Sequence, residues 1–179
     1  MARSARRRLS ASERARVPEL LGLAEELTAE HYRLPSFDAE SLAYDVLTLD
    51  ELKPEEIDDE ALAVLHRYER EERGAAPRSF FRICLQDHNF LDALEREGDI
   101  AFEDLLLFVL THELVHIVRF GSFLQIFGAP EEERLAEEQA VHETTRAILT
   151  RLGRGSLERV LSRWEGSGGP DVIRYEAGR

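Results

Sequence analysis

Five consecutive residues, His112-Glu113-Leu114-Val115-His116, carry the chain's clearest chemistry. Histidines four apart on a helix stand on one face about a turn apart, so both imidazoles can reach one ion. Glu113 lies about 100° further round, close enough to hydrogen-bond a metal-bound water without ligating the metal. Zinc is the expected ion, though other divalent transition metals accept the same donors. It lowers the pKa of bound water to near neutrality, and the carboxylate can take the proton as that water attacks a carbonyl. Two imidazoles need at least one more ligand.

The stretch Glu137-Glu138-Gln139-Ala140-Val141-His142 offers candidates. At 100° per residue, Val141, Ile148, Leu149 and Leu152 define an inward helix face. Glu138, His142 and Thr145 fall on or beside it, and Glu137 lies at the opposite margin. An inward Glu and an inward His need a reason to be buried, and a metal supplies one. The expected ligands are His112, His116, Glu138 and His142. Alternatively Glu138 ligates and His142 supports it from behind, and Glu137 is the alternative ligand. Arg119 shares the histidine face, where it either pairs with Glu138 or an anionic substrate group, or compensates the helix dipole. Asp87 and His88 either face the cleft or serve as a simple helix cap. Tyr175 could donate to an oxyanion, or simply pack.

These residues need elements to hold them. The run Leu105 to Leu110 is apolar on every face, so a helix over about Phe102–Phe120, closed by Gly121, must be enclosed by its neighbours. Pro130 and three glutamates open the next helix, which runs to about Leu152. Upstream, Pro18 begins a helix to about Tyr32, and alternation at Leu42, Tyr44, Val46 and Thr48 reads as a strand. Asp58 or Asp59 caps a helix through Ala61, Leu62, Val64, Leu65 and Tyr68. Phe80 to Leu85 reads as a buried strand, and Asp87 caps a short helix ended by Gly98. Ser122 to Ala129 is an apolar loop, Ser156 caps a last helix through Trp164, and Val172 to Tyr175 is a short strand.

The pattern resembles the zincin superfamily of H-E-x-x-H metallopeptidases, in the branch where a Glu from a following helix is the third ligand. It is also similar to bacterial H-E-x-x-H proteins of no stated substrate. The resemblance covers roughly residues 80 to 150. It implies His112 and His116 as ligands, Glu113 as general base and Glu138 as third ligand. The family often has an acid or Asn four after that ligand, where His142 stands, or an Ala three after it, which Ala140 satisfies if Glu137 ligates. It further implies an edge strand holding extended peptide or protein substrate, for which Phe80 to Gln86 is the candidate. The fold expected is α+β, a mostly helical single domain with a small zincin-like sheet of two to four strands against the H-E-x-x-H helix.

Bulk properties narrow the alternatives. A chain of 179 residues, 43% hydrophobic and 33% charged, suits one globular domain. Residues 1–16 read as a basic flexible arm, 17–165 as the metal-binding domain and 166–179 as a tail. A net charge of −13 argues against general nucleic-acid binding. The apolar stretch Leu105 to Val118 is too short and too polar to span a bilayer. One cysteine, Cys84, excludes an internal disulfide and, as a small core residue, fits a reducing compartment; the expected location is cytoplasmic. Two readings compete with a zinc hydrolase. One is a non-catalytic structural or sensory site closed by four ligands. The other is a di-iron bundle, because Glu113-x-x-His116 also satisfies E-x-x-H; its second motif would begin at Gln139, which supplies no carboxylate.

Overall fold

The computed structural model describes residues 6–35, 42–70, 78–122, 130–164 and 175–177, with backbone alone at 69, 70, 78 and 175–177. The chain runs α1 (Ala11–Tyr32), β1 (Tyr44–Leu47), a 3-10 turn (Pro54–Glu56), β2 (Ala63–Arg70), β3 (Arg78–Leu85), α2 (Asp87–Glu97), α3 (Phe102–Gly121), α4 (Glu131–Thr150), α5 (Gly155–Arg163) and β4 (Tyr175–Ala177). The result is the expected mixture of helices and one small sheet.

α3 is the axis of the molecule. From Asp104 to Val118 every residue is buried, under α1, α4, α5 and the inner face of the sheet. Each buried Leu, Ile, Val or Phe stabilises by about 1.5–3 kcal/mol, so this helix can carry several costly polar groups. α1 covers one side through Val17, Leu20, Ala24 and Leu27. α3 ends at Gly121, where a Cβ would collide with the Leu42 side chain. α2 ends at Gly98, whose φ of 60° an L side chain rarely adopts.

The sheet order is β1-β3-β2-β4, with β1 and β3 parallel, β2 and β3 antiparallel, and β2 and β4 parallel. Phe81, Ile83 and Leu85 of β3 and Leu65 of β2 face the helices. The other face carries a polar network. Buried Glu56 accepts from the Lys53 amide at 2.9 Å, Tyr68 Oη at 2.9 Å and Arg82 Nη1 at 3.1 Å. Arg82 also donates to both carboxylate oxygens of Asp45, at 2.9 and 2.8 Å.

Several expectations change. Of the helix expected over residues 61–68, residues 63–68 lie in strand β2 instead. Leu65 enters the main core while Val64 packs with Ala61 and Cys84 behind the sheet, so burial on both faces erased the polar alternation. The Asp58 carboxylate accepts from the amides of Glu60 and Ala61 at 2.8 Å each, making a turn rather than a helix cap. α1 begins at Ala11, with Pro18 inside it; Ser10 and Glu13 form a capping box that replaces Pro18 as the start.

Of the expected basic arm, residues 11–16 belong to α1 and residues 6–10 are docked, while residues 1–5 lie outside the described residues. Arg6 pairs with Asp59, Arg7 with Asp92 and Glu95, and Arg8 with Asp50, while Leu9 is buried. The last helix starts at Gly155, so Ser156 lies inside it rather than capping it. Of the expected tail, residues 175–177 form β4; residues 172–174 of the expected strand lie outside the described residues, as do 123–129 of the expected loop. Among the described residues no helix is long and apolar enough to cross a membrane.

Candidate metal centre

His112 and His116 project from α3 toward α4, and both are fully buried. They belong to a stripe at four-residue spacing, Phe108-His112-His116-Phe120, with successive ring centroids 5.8, 4.9 and 6.2 Å apart. Phe120 stacks in turn on Phe81 of β3, and Phe108 meets Trp164 beyond α5. The aromatic rings therefore bracket the imidazoles and limit their rotation.

α4 brings Glu138 opposite the pair. His112 Nε2 lies 3.0 Å from Glu138 Oε1, His116 Nε2 lies 3.3 Å from Oε2, and the two Nε2 atoms are 3.2 Å apart. The three residues form a group able to hold one ion, their donor atoms all within 4.8 Å of one another. A tetrahedral site with bonds of 2.0–2.1 Å separates its ligand atoms by about 3.3 Å, close to all three spacings.

With a proton on each Nε2, His112 and His116 can donate to the two oxygens of Glu138; an ion at their common point would take the same three donor groups in place of those protons. The other ring nitrogen of His112, Nδ1, is buried without a hydrogen-bond partner. The donor set thus fits a cation, and zinc or a similar borderline ion suits two imidazoles and a carboxylate.

The electrostatics agree. Burial, with His116 and His142 nearby, lowers the His112 pKa to about 4 despite Glu138, so the ring is neutral and able to ligate at pH 7. Burial pushes the Glu138 carboxyl up, but the imidazoles of His116 and His112 outweigh it and hold the group ionised, well below its usual range. Glu113 behaves oppositely. It is fully buried, both carboxylate oxygens lack a hydrogen-bond partner, and burial followed by the charge of Glu138 raises its pKa well above normal.

The remaining candidates disperse. His142 stands outside the group of three: its ring stacks on Phe108 at 5.9 Å and meets His112 edge-on at 5.0 Å. Arg119 pairs side-on with Glu137, not with Glu138, and Glu137 stands outside the group as well. Thr145 is buried on α4, its hydroxyl without a hydrogen-bond partner. Asp87 neither faces a cleft nor caps a helix. Its carboxylate accepts from the amides of Leu9 at 2.9 Å and Leu49 at 3.0 Å, tying the N-terminal segment to the body. His88 Nε2 lies 3.4 Å from Asp59. Tyr175 lies in β4, its side chain outside the described residues.

β3 lies between β1 and β2, so it is no edge strand and Phe80 to Gln86 has no open ladder for a peptide. The Gln86 side chain is itself spent on Glu56, Cys84 and Asp58 backbone groups. The aromatic brackets were missed, although Phe108 and Phe120 share the histidines' spacing. No family model matches this chain, and no curated protein or solved structure matches it either.

Proposed function

We propose that the chain is a zinc-dependent hydrolase of the zincin type, acting on peptide or protein substrates. The observation that carries this reading is the convergence of His112 Nε2, His116 Nε2 and Glu138 at tetrahedral spacing beside the unpaired, buried carboxylate of Glu113. Zinc held there would polarise a carbonyl and acidify water. Glu113 supplies the place for a proton: neither of its carboxylate oxygens is committed, and beside a bound dication the group would be ionised, able to take a proton from water and hand it to a leaving amine. His112, His116 and Glu138 hold the ion, while Phe108 and Phe120 keep the imidazoles aimed. Within this set, Glu138 alone is partly open, its side chain 31% exposed, so the group meets solvent on the α4 side.

The position of His142 favours this reading over the closed site. Three converging ligands leave a coordination position for chemistry, whereas a fourth imidazole would fill it. A di-iron bundle draws ligands from four helices, and the group among the described residues comes from α3 and α4 alone.

The test is elemental analysis together with hydrolysis of a fluorogenic peptide library. Wild type should hold about one zinc per chain. Glu113→Gln should keep the metal and lose hydrolysis by about 100-fold or more, and His116→Ala should lose both. A metal-free Glu113→Gln protein would make Glu113 a ligand and end the proposed mechanism. Full metal content in His116→Ala would end the proposed site.

A further inference from the structure

Among the described residues, α4 carries Glu138 with little apolar support. Residues 131–136 are all exposed, Leu135 at 63%, and the first buried residue along the helix is Val141, nearly a turn beyond Glu138. A surface helix is normally fixed in height and rotation by its apolar face, and here that face begins only after the ligand.

What meets α3 at this level is polar. Arg119 lies three residues beyond His116 and reaches Glu137, the residue before the ligand. Its Nε donates to Oε1, and its Nη2 donates to Oε2 at 2.9 Å. The two side chains are only 18% and 15% exposed, so water screens the pair less than an open surface pair. Two parallel hydrogen bonds from a planar fork fix orientation as well as distance, which a point charge cannot do.

The geometry points to Arg119 and Glu137 as a positioning pair that sets the height and rotation of the α4 turn bearing Glu138, and so completes the group of three. This inference rests on reading that group as metal ligands. A cation compensating the α3 dipole would need no fork and no particular partner, so the two roles separate by experiment.

The variants are Arg119→Lys, Arg119→Met, Glu137→Gln and the swap Arg119→Glu with Glu137→Arg. The measurements are competition titration with Co2+, the visible spectrum of the Co2+ protein, and amide hydrogen exchange of the metal-free protein. Arg119→Lys and Arg119→Met should weaken Co2+ binding by about 10- to 100-fold and alter the Co2+ spectrum. They should also speed exchange in α4 before Val141 and leave it unchanged beyond. The swap should restore at least part of the affinity. Wild-type affinity and spectrum in both Arg119→Lys and Arg119→Met would overturn the inference. So would unchanged exchange before Val141. If wild type binds no Co2+, the metal reading falls by itself, and the exchange comparison still decides whether the pair holds the turn.

Discussion

At the scale of single residues, Glu113 is an expensive side chain to bury. A buried carboxyl with no partner costs several kcal/mol if it stays charged, and burial accordingly favours its neutral form. Groups kept in such positions are often held there for chemistry, at the expense of stability. Glu113→Gln should therefore raise the stability of the chelator-treated protein by about 0.5–2 kcal/mol, read from thermal or urea unfolding. A lower midpoint would make the carboxylate a structural partner instead. His142→Ala should keep its metal with at most a modest loss of affinity, because the ring braces His112 and Phe108 from outside the group. Loss of metal would put His142 among the ligands. The spacing of His112 and His116 and the inward lean of Glu138 were legible in the sequence, since helical periodicity fixes both. The partner of Arg119 was not: Glu137 and Glu138 differ by one residue, and the choice depends on how α4 rotates against α3.

Elements differed in legibility for physical reasons. α3 and α4 declare themselves through length, an enclosed apolar run and acidic N-terminal turns. β2 misleads because Ala61, Leu62, Val64, Leu65 and Tyr68 satisfy helical spacing, while the pairing that decides its state comes from residues 78–85. α1 misleads because Pro18 is a conspicuous signal, and the quieter capping box at Ser10 and Glu13 overrules it. The docking of residues 6–10 could not be read locally, since its partners lie dozens of residues away. That docking should rest on Asp87 more than on the arginines. Asp87 is buried and holds two amides, so Asp87→Ala should cost about 3 kcal/mol in denaturant unfolding. The ion pair of Arg7 is exposed, and Arg7→Ala should cost less than about 1 kcal/mol, with a difference that fades in high salt.

The whole molecule divides at its sheet: helices and the His112–His116–Glu138 group on one face, the Glu56–Arg82–Asp45 network on the other. Burial would raise the Glu56 carboxyl, but the Lys53 amide, Arg82 and Tyr68 outweigh it and hold the group below its usual range. A depressed folded pKa contributes stability above the unfolded value of about 4.3, lost as pH falls through the folded one. Glu56→Gln should thus cost about 2–3 kcal/mol near neutrality, and the gap to wild type should close as acid protonates the native carboxyl. A gap independent of pH would mean that shape, not charge, is what the network needs.

Strand order also imposes a sequence of assembly. β1, β2 and β3 can pair once residue 85 has emerged during synthesis, but β4 aligns Tyr175 with Leu65 and must wait for the last few residues of this sequence. Until it arrives, one border of β2 offers unpaired backbone groups, at which two unfinished chains could join instead of one chain closing on itself. The shortest described strand of the sheet thus covers that border at Leu65 to Arg67.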